Sequence, residues 1–399
     1  MLTPEYLLKI SEGSENIAEY LHANIINRIV ERMMLRIGRG EEYMLTSYDK
    51  WQIDTLQEAG ILLEEIQKEI AHATKEEEKE IAETFEDAGV KAIEYDDRIY
   101  LSAGLSPVPL WESPYMVRLM QRAYEATMGE WTNFTRTTAE ASQQLFVSSM
   151  DKAYNLVTSG AISYTQAVKE ALEDVVKDGV TVTYPTGHTD TIETATLRCV
   201  RTGVGQMSSD ISLERMKEMG CNLVLVSSHM GARPSHAEWQ GKVYSLDGNK
   251  YPELRKATGY GTVTGLAGAN CRHNISPYYE GMENPFEKFD TEENKKNYEI
   301  EQRQRTLERR IRNTKREVIN RKTALDNCKN DSLRDVLDKE YQKKSALLQK
   351  QNEIYNQYCE EHNLKRLADR IHIAKWDRKQ AAAARGAAKR YNNGKMDKV

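Results

Sequence analysis

The sequence predicts an α+β protein that is mainly helical, with a small α+β domain in the middle and a C-terminal helical hairpin or coiled coil. Three patterns lead to this prediction. Apolar residues recur every four positions near the N-terminus, a short alternating stretch begins at Val180, and charged stretches with a sparse apolar stripe occupy the chain after residue 290. No apolar run approaches the roughly 18 residues that span a bilayer, so we expect no membrane partner.

The first part of the chain, residues 1–100, is predicted to be a helical N-terminal region. Its first long helix ends near Ile37, and a second helix covers about 48–90. The apolar stripe of the first helix consists of Ile17, Leu21, Ile25, Ile29 and Met33. Each helix therefore has a face that can be buried against a neighbour.

Residues 101–179 are predicted to continue the helical region after a loop. The loop covers 102–109, where two prolines keep the residues before them out of a helix. Helices resume after it, and the last of them covers 163–178. Ser163 and Gln166 form a capping box at the start of that helix, which defines its beginning.

The segment 180–285 is predicted to be the small α+β domain. Its first residues, 180–184, alternate like a strand, and 189–192 can pair with them across a Pro-Thr-Gly-His turn. A helix is then expected up to about Met219. The run Asn-Leu-Val-Leu-Val-Ser at 222–227 follows it and is typical of a short buried strand.

Residues 286–364 are predicted to form an antiparallel helical hairpin or a short coiled coil. The apolar stripe is interrupted at 327–331, and Ser332 is expected to cap the second helix. The polar interruptions leave open whether the helices pair within one chain or in a homo-oligomer. Residues 365–399 form a basic tail, whose Ala-rich part past Lys375 can form a helix that we expect to be frayed or ordered by a partner.

The charge of the chain is unevenly distributed. Residues 301–399 carry 26 Lys and Arg against 14 Asp and Glu, whereas the first 300 residues carry 30 against 47. A basic C-terminal arm on an acidic body predicts contact with an anionic partner, either DNA bound without sequence specificity or the acidic surface of a protein. An ordinary solvated helical surface is the alternative interpretation.

The five cysteines are scattered and odd in number, which argues against a disulfide framework and predicts folding in a reducing compartment. One cysteine lies in a group of reactive side chains that follow the strand at 222–227, on loops rich in Gly and Pro. This group consists of His229, Arg233, His236, Trp239, Cys271, Arg272 and His273. Reactive residues on such loops usually mark a functional site.

Two interpretations of this group differ over a metal. In the first, which predicts no cofactor, these side chains hydrogen-bond to the backbone and hold the loops together. In the second, His229, His236, Cys271 and His273 are candidate metal ligands, because they are residue types that bind zinc. Their spacing contains no CxxC or HExxH pair, so no known zinc motif is present and we expect the first interpretation.

A catalytic interpretation would use Cys271 as a nucleophile and a neighbouring histidine as its base. Arg233 or Arg272 would then bind an anionic group of the substrate. Nothing in the sequence marks an oxyanion hole or a strained nucleophile turn. We therefore predict no catalytic residue and keep a metal- or Cys-dependent hydrolase or nuclease as the alternative function.

The same motifs resemble phage minor capsid protein 2, a family of tailed phages and prophages of Gram-positive bacteria. The resemblance is carried by SSHMGARPSHAEWQGKVYSL and GLAGANCRHNISPYYEG, and upstream by LRCVRTGV and EMGCNLVLVSSH. It covers about residues 1–285, and the C-terminal arm is the variable part. More distantly, the pattern is similar to the Mu F-like head morphogenesis domain, in which the closing element is often Cys-Arg-Cys instead of Cys271-Arg272-His273.

The resemblance implies a structural component of the virion, present in few copies and associated with the portal and head. Portal and other capsid proteins would be its partners, and head assembly and DNA packaging or ejection its tasks. It would be found in the virion, and in the host cytoplasm during assembly. The signature positions that carry over, without a catalytic role, are Arg233, His236, Gly241, Asn270, Cys271 and Arg272.

Overall fold

The computed structural model describes residues 1–184 and 186–396. Pro185, part of the predicted turn, and the last three residues of the basic tail lie outside the described residues. Helices dominate, and a small strand region lies in the middle of the chain, so the mainly helical α+β prediction is confirmed in this coarse form. Among the described residues, no helix combines the length and the apolar character that crossing a bilayer requires.

The helices and strands follow one another along the chain in the order of their numbers. The helices are α1 (Pro4–Lys9), α2 (Glu12–Ile37), α3 (Tyr48–Ser102), α4 (Pro114–Thr158), α5 (Tyr164–Asp178), α6 (Ile192–Glu218), α7 (Pro234–Ala237), α8 (Leu254–Thr258), α9 (Thr291–Asn327), α10 (Asp331–Glu361) and α11 (Arg378–Met396). The strands are β1 (Thr181–Thr183), β2 (Thr189–Thr191), β3 (Leu223–Val226), β4 (Val243–Ser245) and β5 (Ile275–Tyr278).

The chain divides into two compact units, each assembled from three separate stretches. Unit 1 comprises Met1–Ile17, Thr74–Asn133 and Glu193–Gln302, and unit 2 comprises the rest. The predicted segment 180–285 contributes to both, because the β1–β2 hairpin belongs to unit 2 and β3, β4 and β5 belong to unit 1. The domain boundaries proposed from the sequence stay a prediction.

Unit 1 contains two apolar cores that share helix α6. Val204 and Ile211 of α6 lie in a helical core with α1 and the parts of α3 and α4 in this unit. Met216, near the end of α6, lies in a second core against a three-stranded sheet with the order β4-β3-β5. Both pairings in the sheet are antiparallel, and β3 is its central strand.

In unit 2, α9 and α10 pack against each other in antiparallel orientation. Tyr355 donates a hydrogen bond to Glu308, and Lys344 forms an ion pair with Glu317. The residue numbers therefore increase along α9 while those of their partners decrease along α10. The two long helices therefore pair within one chain. Their apolar stripe is completed by α11, whose Ala384 and Ala387 enter the same core.

Several helix ends differ from those predicted. Helix α3 continues to Ser102 rather than about residue 90, because Ala92, Ile93 and Tyr100 carry its buried face beyond the predicted end. Helix α10 is capped by Asn330, whose side chain accepts from the Leu333 N–H, and not by Ser332. The expected frayed tail is helix α11, which is ordered because its alanine face packs on α10.

Other local predictions are confirmed. The Ser163 side chain accepts from the Gln166 N–H at the start of α5. The loop after Ser102 is present and contains only a short 3-10 turn, Leu110–Glu112. Strands β1 and β2 pair in antiparallel register, with Thr181 opposite Thr191.

Candidate metal centre

The sheet topology of unit 1 brings the two halves of the motif together. Strand β3 ends at Val226, which pairs with Ile275 at the start of β5. The loop that leaves β3 and the segment that enters β5 therefore meet at one end of the sheet. The Ser227 N–H donates to the Asn274 carbonyl, and the Asn274 N–H donates back to the Ser227 hydroxyl. These bonds fix the distance between the two halves.

Three of the four predicted metal ligands are in contact. The Cys271 Sγ atom lies 3.6 Å from Nδ1 of His273 and 3.8 Å from Nδ1 of His236. The ligand atoms of all three residues lie within 4.8 Å of one another. Their side chains are almost fully enclosed, since Cys271 is 4% exposed, His236 2% and His273 1%.

Both histidines of this cluster direct Nδ1 at the sulfur because Nε2 is engaged elsewhere. Nε2 of His236 lies 2.9 Å from the Thr264 carbonyl oxygen, and Nε2 of His273 lies 3.0 Å from Oε1 of Gln240. A carbonyl oxygen only accepts hydrogen bonds, so each Nε2 must carry the proton. Each Nδ1 is then an unprotonated nitrogen with its lone pair toward Cys271.

Gln240 could present either its oxygen or its nitrogen to His273, but a second contact decides between them. The backbone N–H of His229 donates to Oε1 of Gln240 at 3.1 Å. Because a backbone N–H is always a donor, this atom must be the amide oxygen. The protonation of His273 assigned above therefore follows from the hydrogen bonds around it.

His229, the fourth predicted ligand, is not part of the cluster. Its Nδ1 lies 3.0 Å from the Met230 carbonyl oxygen, and its ring stacks on His273 with centroids 4.5 Å apart. The Trp239 ring also packs against the cluster, and its centroid lies 4.4 Å from the ring centroid of His236 and 4.8 Å from that of His273. These aromatic rings shield the ligand atoms from water.

The electrostatic surroundings keep the cluster uncharged when no ion is bound. Burial lowers the pKa of His236 to about 4, and burial together with the neighbouring histidines holds the pKa of His273 well below its usual range. Burial also raises the pKa of the Cys271 thiol, against the opposing effect of nearby backbone donors and of Arg233 and Arg272. A buried neutral thiol is a poor nucleophile.

The remaining signature residues shape the loops. Arg233 donates to the Ala269 carbonyl at 2.9 Å, and Arg272 lies 3.7 Å from the carboxylate of Glu301. Asn270, directly before Cys271, has φ 57°, and Gly241 has φ 65°. Asparagine and glycine are the residues that adopt this left-handed conformation most readily. These positions therefore have structural roles around the cluster.

The sequence did not single out several residues that complete the site. Gln240 and Thr264 bind the outer nitrogens of the two histidines, and Asn274 donates to the buried Ser208 hydroxyl at 2.7 Å. Asn294 holds the loop before α7 by bonding both the N–H and the carbonyl of Ala232. The signal available for Gln240 was its place four residues after His236 within the motif.

Comparison with known proteins places these features in a family. The sequence profile described as Phage minor capsid protein 2 matches residues 2–359. A structural protein of Lactococcus phage LL-H is 31% identical over 166 residues, which are 39% of this chain and 44% of that protein. A structural protein of Lactococcus phage mv4 is 44% identical over 57 residues, 14% of this chain and 46% of that protein.

The chain thus matches less than half of the length of these two relatives. No solved structure matches it.

Proposed function

Because this chain belongs to the phage minor capsid protein 2 family, we propose that it is a portal- and head-associated component of a tailed phage or prophage particle. In this role it is incorporated in few copies and acts in head assembly and in DNA packaging or ejection. Its place is the virion, and the host cytoplasm while heads assemble. The match over residues 2–359 is the observation that carries this proposal.

Exposed apolar side chains support contact with other virion proteins. Tyr48, Ile53 and Leu56, at the start of α3, are each more than half exposed. Apolar side chains grouped on one surface are typical of a protein–protein interface. We infer that this surface of α3 contacts the portal or another head protein.

Cross-linking in assembled particles tests this role. We expect cross-links between this chain and the portal protein, and far fewer copies of the chain than of the major capsid subunit by quantitative mass spectrometry. Ile53→Ser with Leu56→Ser should lower the amount of protein incorporated per particle, because the apolar surface is lost. Gln57→Ser, an exposed polar position on the same helix, is the matched control.

A copy number close to that of the major capsid subunit, or cross-links that avoid the portal, would contradict the proposal. Equal incorporation of the double variant and of the Gln57 variant would show that α3 does not provide the contact.

A structural role agrees with the burial of Cys271. The alternative is a metal- or Cys-dependent hydrolase or nuclease carried in the virion, and its Cys-dependent form requires a substrate to reach Cys271, a residue that is 4% exposed. Burial also raises the thiol pKa, which disfavours the reactive thiolate. A nuclease or esterase activity that Cys271→Ser abolishes in a folded protein would establish the enzyme instead.

We also propose that α11 contacts DNA through its phosphates. Between Arg378 and Met396 the helix contains no acidic residue. Its alanine face is buried, and its basic side chains are exposed: Arg378, Lys379, Arg385, Lys389 and Arg390. Such a surface binds the phosphate backbone without reading the base sequence.

The salt dependence of DNA binding tests this second proposal. Replacing Arg378, Arg385 and Lys389 by Gln should reduce the slope of log K against log salt by about 3, because each phosphate contact contributes about 0.9. Fluorescence anisotropy with a short duplex measures this slope. The matched control replaces Lys339, Lys343 and Lys350, which are exposed on α10, by Gln. Equal slopes for the two triple variants would contradict a specific role of α11.

A further inference from the structure

We propose that His236, Cys271 and His273 bind one zinc ion, which holds together the loop after β3 and the segment before β5. This inference goes beyond the role in the phage particle and does not depend on it. It rests on three observations: the distances between the ligand atoms, a count of hydrogen-bond donors and acceptors, and the contacts behind each histidine.

The distances fit a tetrahedral ion. With a zinc–sulfur bond of about 2.3 Å and a zinc–nitrogen bond of about 2.0–2.1 Å, the sulfur and nitrogen ligands of one ion lie about 3.5 Å apart. The two sulfur–nitrogen distances here are 3.6 and 3.8 Å. These two distances need shifts of only a few tenths of an ångström, whereas the two nitrogen ligand atoms, which lie within 4.8 Å of each other, must approach to about 3.3 Å.

The hydrogen bonds of the cluster cannot all be satisfied without a cation. Both Nδ1 atoms are acceptors that point at the same sulfur, because both Nε2 atoms donate to carbonyl oxygens. A thiol has a single S–H and can donate to only one of them. The other nitrogen would be a buried acceptor without a donor, which costs roughly 1–3 kcal/mol. A zinc ion bound to the thiolate satisfies both nitrogens at once.

The contacts behind the histidines are those of metal ligands. A metal-binding histidine almost always donates its second ring N–H to a carbonyl or carboxylate, which orients the ring. Thr264 does this for His236, and Gln240 does it for His273. The His229 N–H donates to the Gln240 side-chain oxygen, so the group that orients His273 is itself held in place.

The ligand types select zinc among the common divalent ions. One thiolate and two imidazoles suit zinc, whereas calcium and magnesium require oxygen ligands.

Metal analysis of the untagged full-length chain tests the proposal. After dialysis against zinc and then against metal-free buffer, we expect about one zinc ion per chain. Cobalt should give a thiolate-to-metal charge-transfer absorption and the visible bands of a tetrahedral site. Adding zinc to metal-free protein should raise the melting temperature by several degrees, because an ion that binds only the folded state stabilises it.

Matched variants locate the site. Cys271→Ser should remove the charge-transfer band and most of the zinc, whereas Cys221→Ser, at a buried cysteine outside the cluster, should retain both. His229→Gln should also retain the ion, because His229 is not a ligand in this proposal. Loss of zinc in His229→Gln to the same degree as in Cys271→Ser would overturn the three-residue assignment.

The wild-type measurements decide the question even where a variant fails to fold. Zinc well below one ion per chain, together with equal melting temperatures with and without zinc, would overturn the proposal. Zinc retained in Cys271→Ser and absent from Cys221→Ser would place the ion elsewhere and would overturn it equally.

Discussion

Glu77 in α3 is a buried carboxyl group whose protonation is coupled to folding. Its side chain is inaccessible to solvent, and neither carboxyl oxygen has a hydrogen-bond partner of standard geometry within the described part of the chain. Burial raises its pKa to about 7, against the opposing effect of the Ser14 hydroxyl. The folded protein therefore binds a proton that the unfolded chain releases near pH 4.5.

The sign of the resulting pH dependence follows from the raised pKa. The contribution of Glu77 to stability is fully present below about pH 4.5 and is lost as the pH rises through about 7. We expect Glu77→Gln to remove this loss, so that the variant gains up to about 3 kcal/mol over the wild type between pH 5 and pH 8. Unfolding by urea at the two pH values measures the difference.

The exposed neighbour Glu78 provides the control for this experiment. Glu78→Gln should follow the wild type at both pH values, because its side chain is exposed to solvent. If Glu77→Gln also follows the wild type, Glu77 is charged in the folded state and a cation or water compensates it.

At the residue scale, the sequence predicted the composition of the cluster better than its geometry. His236, Cys271 and His273 were recognised by residue type, and the sheet register brings them together. His229 was predicted with them, but its ring stacks on His273 instead. Residue type cannot tell which nitrogen of a histidine is protonated, because that depends on a backbone carbonyl such as that of Thr264, distant in sequence.

At the scale of elements, helices with large apolar residues were predicted well because their spacing is a local property. The stripe ending at Met33 correctly marks α2, and the capping box at Ser163 marks α5. The end of α3 and the packing of α11 were missed. Ala92, Ile93 and Tyr100 are buried beyond the predicted end of α3, and the alanines of α11 pack on α10, although alanine alone gives little apolar signal.

The pairing of α9 with α10 within one chain could not be predicted from the spacing of their apolar residues. A sparse stripe is compatible with a hairpin or with a coiled coil between chains. The contacts of Glu308 with Tyr355 and of Glu317 with Lys344 establish the antiparallel pair within one chain. Such contacts between positions far apart in sequence are set by the whole fold.

At the scale of the whole molecule, each of the two compact units is built from three separate stretches of the chain. The sequence predicted consecutive domains, and their boundaries stay a prediction. Unit 1 is completed by Met1–Ile17 and Thr74–Asn133, which lie far from the motif in sequence. Composition and periodicity describe neighbouring residues, so they do not reveal which distant stretches share a core. Helix α6 is an example, because one part of it packs on the sheet and another part packs on α1, α3 and α4.

This arrangement predicts that residues 180–285 do not fold on their own. Without the other stretches of unit 1, α6 would expose four buried apolar side chains: Val200, Val204, Met207 and Ile211. Exposing each costs about 1.5–3 kcal/mol, and the total is comparable with the entire stability of a domain, about 5–15 kcal/mol. We expect the isolated fragment to melt without a cooperative transition by circular dichroism, both with and without zinc.

The full chain in the same buffers is the control, and it should melt cooperatively. A fragment that gives a sharp transition and dispersed amide resonances without zinc would contradict the prediction, because 180–285 would then contain a sufficient core of its own. A transition that appears only with zinc would show instead that the ion replaces the missing stretches. The fragment therefore separates the contribution of the helical core from that of the proposed metal centre.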